Sequence, residues 1–195
     1  MSKISKRNVS IGLGASMLAL GLILSLTSPA PAAPERTVMV GGAAMYPSRN
    51  IVQNAVNSAD HTTLVAAVKA AGLVDTLSGP GPFTVFAPTN AAFAKLPAGT
   101  VETLLKPENK DKLTSILTYH VVAKKALRNA IQSMINDDGG MHEIATVNGA
   151  KLVAYMRDGN LLLKDEKGRT AKVTIANVMQ SNGVIHVIDT VLLPN

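Results

Sequence analysis

The stretch from Pro82 to Phe93 constrains the fold more than any other part of the sequence. The 195-residue chain has three phenylalanines and no tryptophan, and Phe83, Phe86 and Phe93 all lie in this stretch. An aromatic side chain buries a large apolar area. In a chain with so few rings, these three side chains are therefore expected to seed the core.

The same stretch predicts a strand that turns into a helix. Residues 83–87 lie between two prolines and are rich in β-formers. Pro88 has no N–H to donate to a sheet, so it marks the expected end of the strand. Thr89 or Asn90 is then the expected N-cap of a helix that runs to Leu96, before the next proline.

The first 32 residues have the pattern of an export signal. A basic start is followed by an uncharged, mostly apolar run over residues 11–26 and by a small-residue site that ends at Ala32. The alternative is an uncleaved membrane anchor. The apolar run is 16 residues long, whereas a comfortable bilayer span needs about 20. We therefore predict a signal peptide over residues 1–32, cleaved after Ala32.

The rest of the chain is predicted to be a linker over residues 33–49, with local packing of residues 38–40 as an alternative, and one domain over residues 50–195. Without the first 32 residues the chain has 16 basic and 13 acidic side chains, a net charge of +3. This small excess gives little reason to expect a nucleic-acid partner, or stable membrane insertion after cleavage. The absence of cysteine excludes disulfides, thiolate metal sites and a cysteine nucleophile.

The first half of the domain has helical patterns and the last third has strand patterns. Helices are expected from Asn50, from Thr62 or Thr63 to Gly72, and over two later stretches, 107–117 and 126–135. Glycine-containing turns then separate four β-branched or apolar runs, at 152–156, 161–164, 171–179 and 184–192. Such spacing predicts an antiparallel meander. The fold class is therefore α+β.

The four histidines suggest no metal site of the usual spacing. His142 and Glu143, beside Asp137 and Asp138, are the best candidate ligands, but they lie in a glycine-rich segment that we expect to be mobile. A catalytic zinc needs about three ligands at one open site. We predict no metal and no cofactor.

His120 and His186 are predicted to be at least partly buried, with their ring nitrogens bonded to backbone or to Thr and Asn groups. A hydrolase that uses either ring as a base is the alternative. Asp189 lies three residues after His186, which in a strand places it on the opposite face. The sequence also lacks a Gly-x-Ser-x-Gly elbow. We predict that the protein is not an enzyme.

Three segments resemble the fasciclin domain family, in the order the family has them. Residues 83–93 resemble its first signature box, 117–122 its Tyr-His motif and 181–194 its second box. The residues that carry the two boxes are Phe83, Phe86, Pro88, Thr89, Asn90, Phe93, Asn182, Gly183, His186 and Asp189.

The resemblance implies a β-sandwich or wedge of about seven strands, with helices packed over one side. It also implies extracellular adhesion without general catalysis. In animal matrix members, the Tyr-His motif and an Asp-Ile pair before the second box are implicated in integrin contact. Tyr119 and His120 match the first of these. Asn177 and Val178 occupy the Asp-Ile position, so the acidic residue is absent here.

Two functions remain open. The first is an exported adhesion or protein-interaction module whose partner is a protein or a cell-surface or matrix component, in a periplasmic, extracellular or cell-surface location. A single copy of a weak adhesive module also suggests a possible homo-oligomer. The second is a binder of a small apolar molecule or a polysaccharide in a pocket between helices and sheet. The scarcity of aromatic rings disfavours sugar stacking.

Overall fold

The computed structural model of the protein describes residues 35–195, and its centre is a sheet of seven strands covered by helices. The predicted signal peptide lies outside the described residues. The strands are β1 (Val38–Val40), β2 (Ala43–Met45), β3 (Phe83–Pro88), β4 (Val121–Val122), β5 (Met141–Ala145), β6 (Lys151–Arg157), β7 (Asn160–Lys164), β8 (Thr170–Gln180) and β9 (Gly183–Ile188). The helices are α1 (Ile51–Ala55), α2 (Thr62–Ala71), α3 (Val74–Ser78), α4 (Asn90–Ala94), α5 (Thr100–Leu104), α6 (Lys110–Tyr119) and α7 (Arg128–Asp137).

The sheet is mixed, with the strand order β4-β3-β9-β8-β7-β6-β5. From β5 to β9, each strand pairs antiparallel with the next one in the sequence, which confirms the predicted meander and the α+β class. The turn spacing in the sequence did not predict the parallel pairing of β3 with β9. This pairing runs from Phe83 beside Gly183 to Pro88 beside Ile188. The two signature boxes are therefore neighbours at the centre of the sheet.

Strand β9 is buried along its whole length, between β3 and β8. Gly183 begins β9 against the start of β3, where a Cβ would lie 2.1 Å from the carbonyl oxygen of Phe83. Only glycine permits such a backbone approach. The glycine of the second box is thus required by the contact with the first.

The buried side chains form two clusters, and the phenylalanines divide between them. Phe83 and Phe93 pack with the helices α1, α2 and α6. Phe86 belongs to the second cluster, with Tyr119, Ile131 of α7 and residues of β6 to β8. The aromatic stretch therefore joins two cores across β3.

Several helix ends follow the sequence signals. Thr89 caps α4 by accepting a hydrogen bond from the Ala92 N–H, and Gly72 ends α2 with φ at 73°. Helix α4 stops at Ala94, two residues before the predicted Leu96. After Ala94 the chain makes a tighter turn, in which the Leu96 N–H donates to the carbonyl of Phe93, three residues earlier.

Two segments are more ordered than the sequence predicted. The predicted linker contains the hairpin of β1 and β2, whose Val40 and Met45 side chains are buried in the helical core. The segment with His142 and Glu143, predicted to be mobile, forms β5 and pairs with β6. Strand β5 is ordered because Ile144 packs inward, although its other positions look polar or exposed.

Candidate binding site

The polar side chains of the first box tie helices together. The Asn90 Oδ1 accepts the backbone N–H of Thr63 at 3.0 Å, and its Nδ2 donates to the carbonyl of Ala59 at 2.8 Å. Asn90 thus caps α2 from the start of α4, whereas the sequence suggested a role in its own helix. An unsatisfied helix N-terminus makes such a bond stabilising.

The polar side chains of the second box also form hydrogen bonds that connect separate elements, here between more distant segments. Asn182 accepts the Ile51 N–H at 3.0 Å and donates to the carbonyls of Leu77 and Gly79, so it joins the start of α1 to the end of α3. The Asp189 Oδ1 accepts the Lys172 N–H at 2.9 Å. The His186–Asp189 pair considered from the sequence is therefore not formed.

His120 is buried and both its ring nitrogens are bonded, as predicted. Its Nδ1–H donates to the carbonyl of Ile116 at 2.8 Å, and its Nε2 accepts the Leu192 N–H at 3.1 Å. Burial lowers the pKa of His120 to about 4, partly opposed by the Ile116 carbonyl. A neutral ring suits this place, because protonated Nε2 could no longer accept.

His120 is one of three side chains that accept backbone N–H bonds from residues 192–195. Asp165 accepts the Leu193 N–H at 3.0 Å, and Glu166 accepts the Asn195 N–H at 3.1 Å. Asp165 itself is 4% exposed and is paired with Arg169. The segment after β9 therefore lies against the fold through backbone bonds to side chains.

Tyr119 is also internal. Its hydroxyl donates to the carbonyl of Lys151 at 2.9 Å and accepts the Glu166 N–H at 3.3 Å. Burial raises the pKa of Tyr119 to about 12. Partner contact by Tyr119 and His120 stays a prediction. In this conformation both rings lie below the surface, with 0% and 3% exposure.

His186 is fully buried and stacks on Phe86, with 5.7 Å between the ring centroids. Its Nε2–H donates to the carbonyl of Ala126 at 2.8 Å. Burial lowers the pKa of His186, and the Ala126 carbonyl partly opposes that shift. The ring therefore links β9 to the segment before α7.

Asn177, at the position of the Asp in the Asp-Ile pair of the animal proteins, has a structural role here. Asn177 lies in the irregular part of β8 with φ at 59°, a conformation that asparagine tolerates well. Its Oδ1 accepts the Arg128 N–H at 2.8 Å and so caps α7.

The sequence did not predict the buried pair of Ser58 and His61. The Ser58 Oγ lies 2.8 Å from the His61 Nδ1, and both residues are buried. Within residues 35–195, the His61 Nε2 has no hydrogen-bond partner. Burial lowers the pKa of His61, opposed by the Ala87 carbonyl and by Asp60.

The concave features of the described residues include two small apolar cavities and a larger groove. The cavities lie among α1, α2 and β3 and measure about 40 and 30 Å³. The groove, which we call the edge groove, measures about 500 Å³. Val122, Lys124, Ala126, Met134 and residues 142–147 line it.

Two of the four predicted metal candidates, His142 and Asp138, contact each other, and Glu143 is paired with a lysine. The His142 Nδ1 lies 2.6 Å from an Asp138 oxygen, and Glu143 pairs with Lys151 at 2.6 Å. Over residues 35–195, no three His, Cys, Asp or Glu side chains come together as a metal site would require. In the same region, no helix combines the length and hydropathy of a membrane span.

Replacing His120 with alanine is expected to lower the free energy of unfolding by about 1–3 kcal/mol, because the Leu192 N–H and the Ile116 carbonyl lose a buried partner. Urea unfolding measures this loss. The matched control is His142→Ala, whose side chain is half-buried at the sheet edge and should cost less. Equal losses in the two variants would contradict the role assigned to His120.

The comparisons with known proteins agree with this geometry. A family model described as the fasciclin domain matches residues 59–194. The chain belongs to the fasciclin family. The match begins after β1, β2 and α1, so a packed hairpin and a short helix precede the matched residues.

Three curated relatives show the range of similar proteins. Protein sll1483 of Synechocystis sp. is 51% identical over 160 residues, which cover 82% of each chain. The immunogenic protein MPB70 of Mycobacterium bovis is 36% identical, covering 92% of this chain and 94% of its own. The cell surface glycolipoprotein MPB83 of the same species is 35% identical, with 87% and 78% covered.

Among solved structures, a fasciclin domain pair from the insect cell adhesion molecule Fasciclin I has a TM-score of 0.67 at 19% identity. The alignment covers 76% of this chain and 52% of that one. This likeness confirms the fold that the signature boxes predicted.

Proposed function

We propose that this fasciclin domain is an exported, non-enzymatic module for adhesion or protein interaction. The observation that carries the proposal is that the signature side chains form hydrogen bonds within the domain. Asn90, His120, Asn182 and His186 all bond to backbone groups inside the domain. Side chains bonded in this way stabilise the fold and are not free for catalysis. The domain would then contact a partner through its surface.

Family membership supports the adhesive role and the location. One relative is named as a cell surface glycolipoprotein, and the solved neighbour comes from a cell adhesion molecule. We propose that residues 1–32 direct export and are removed. The mature protein then acts in the periplasm, in the medium or at the cell surface, on a protein or matrix partner.

Binding of a small apolar molecule is the weaker alternative. An engineered apolar cavity of about 150 Å³ accepts benzene. The two apolar cavities beside α1 and α2 are about 40 and 30 Å³, too small for a ring of that size without movement of these helices.

Deletion of the gene tests the proposal. Cells without the protein are expected to lose part of their aggregation, biofilm formation or attachment to a host surface, and the wild-type gene should restore it. Complementation with Phe86→Ala, whose fold is weakened, is the matched control and should restore less. Unchanged behaviour in all three assays would count against an adhesive role.

A further inference from the structure

Two lysines from separate elements line a second groove of the domain. It consists of two adjoining hollows, of about 370 and 350 Å³, that share Lys112, Ile116, Lys167 and Leu193. We call the two hollows together the lysine groove. Lys112 and Ile116 lie on α6, Lys167 lies in the turn between β7 and β8, and Leu193 follows β9. The groove therefore forms where a helix, a turn and the C-terminal segment come together.

The floor of the lysine groove is apolar. Leu104 of α5 and Ile116 of α6 are 7% and 6% exposed, and Leu193 packs partly buried against the same core. Thr100 and Thr103 also line the hollow beside α5, and a threonine hydroxyl can donate to a carboxylate. The groove thus combines an apolar floor with a few polar groups, as ligand-binding sites commonly do.

The charged side chains that line the groove are both positive. They are Lys112 and Lys167, and both are exposed. Among residues 35–195, neither amine forms an ion pair with a carboxylate. Both amines are therefore available to an acidic ligand.

The carboxylates near these lysines do not neutralise them. Asp165 is already ion-paired, and Glu166 accepts the Asn195 N–H. Asp111 precedes Lys112 on α6, but consecutive residues of a helix do not face each other. Asn195 lines the second hollow and not the one beside α5, and its main-chain carboxylate pairs with neither lysine in the described part of the chain. The hollow beside α5 thus has an uncompensated positive charge.

We propose that the lysine groove binds a segment of a partner protein in which acidic residues stand next to apolar ones. The acidic side chains pair with Lys112 and Lys167, and the apolar side chains cover Leu104, Ile116 and Leu193. A single exposed ion pair contributes little, so affinity requires the two lysines and the apolar floor together. The inference rests on the proposed function, because it names the chemistry of the protein partner.

The apolar floor favours such a peptide over other anions. An inorganic anion or an acidic polysaccharide can pair with the lysines, but it has no aliphatic side chain. It would leave Leu104, Ile116 and Leu193 in contact with water, whereas a leucine or valine of a peptide would bury them. Burial of apolar surface is favourable.

The probe is a capped hexapeptide, Gly-Leu-Asp-Asp-Leu-Gly, which is titrated into the isotope-labelled protein and followed by NMR. We expect saturable shifts at α5, the first half of α6, the turn between β7 and β8, and Leu193. The expected dissociation constant is about 1 mM, which linked copies of the domain would strengthen. Binding should weaken about threefold or more in about 0.5 M salt, because the ion pairs are exposed.

Two lysine substitutions test the charge of the groove. The protein with both Lys112→Gln and Lys167→Gln should bind the peptide about three- to tenfold more weakly. The matched control is Lys110→Gln, which removes a lysine two residues earlier on α6. The Lys110 amine lies on the side of α2, since a Cβ at Gly72 would be 3.6 Å from it. This control should bind as the wild type does. All three lysines are exposed, so the variants should fold.

Two altered peptides separate charge from apolar contact. Gly-Leu-Asn-Asn-Leu-Gly keeps the shape and loses the charge, whereas Gly-Ser-Asp-Asp-Ser-Gly keeps the charge and loses the apolar side chains. We expect each to bind at least about threefold more weakly than the first peptide.

Four results would overturn the proposal. They are no saturable shift at about 10 mM peptide, equal affinity of the asparagine or the serine peptide, sulfate or an oligouronate binding the groove at least as tightly as the peptide, or a concentration-dependent dimer whose contact maps to the groove. The third result would identify a free anion or a polysaccharide as the occupant, and the fourth a second copy of this chain. Each leaves the deletion phenotype intact, whereas unchanged attachment after deletion, with intact peptide binding, would count against the adhesive function alone.

Discussion

Replacing Phe86 with alanine is expected to lower the free energy of unfolding by about 3–5 kcal/mol. Phe86 is completely buried in β3, between β4 and β9, and its ring stacks on His186. The interior is close-packed, so removing the ring leaves a cavity that the surrounding strands can close only in part.

The matched control is Phe83→Ala, the same change three residues earlier in the strand. Phe83 is only partly buried, at the start of β3, so it should lose clearly less stability. Urea denaturation of both variants, with the slopes compared as well as the midpoints, gives the difference. A Phe83→Ala loss as large as that of Phe86→Ala would show that the sheet core does not depend on Phe86.

Lowering the pH from 6.5 to 5 is expected to destabilise the protein steeply. Burial lowers the pKa of His61, His120 and His186, and that of His120 falls to about 4 from an ordinary value of 6.5. Below pH 6.5 the unfolded chain binds protons that the folded chain excludes. Stability is therefore fully present above pH 6.5 and declines as the pH falls toward the folded-state pKa.

The size of the decline follows from the number of protons. Each histidine that stays neutral in the folded state contributes a slope of up to about 1.4 kcal/mol per pH unit. His120 alone contributes roughly 3 kcal/mol between pH 6.5 and 4. His61 and His186 act in the same direction.

Urea unfolding at several pH values between 7.5 and 5 measures this slope, in a range where ordinary carboxylates stay ionised. The His120→Gln variant is the control, and its stability should depend less on pH, by close to one proton. A wild-type stability that stays flat from pH 6.5 to 5 would show that the buried rings take up protons as easily as free ones.

Local signals in the sequence predicted much of the fold. The threonine cap at Thr89, the glycine at Gly72 and the β-branched run of β9 each act through neighbours within a few residues. The meander followed from turn spacing for the same reason. Burial of His120 and His186 followed from the apolar residues around each of them.

The remaining features depend on contacts between distant segments. Asn90 caps a helix 27 residues earlier in the chain, and Asn182 bonds to Ile51 across 131 residues. The asparagine side chains indicate hydrogen bonding, but the sequence does not show which backbone groups they bond to. The parallel pairing of β3 with β9 is equally non-local.

Short or edge elements gave weak patterns. Strands β1 and β2 have three residues each, too few for a period to be visible. Strand β5 lies at the sheet edge, where only Ile144 is buried, so its sequence resembles a polar loop. The edge groove was missed for this reason, since it exists only where two ends of the sheet approach each other.

The most direct test of the central claim compares attachment by cells that carry the wild-type protein, His120→Gln or a deletion. The glutamine can still accept the Leu192 N–H, so the variant should remain folded well below its melting temperature, which circular dichroism would verify. We expect it to support wild-type attachment per folded molecule, while the deletion does not. Loss of attachment by a folded His120→Gln protein would contradict the account, because it would place His120 at the partner contact.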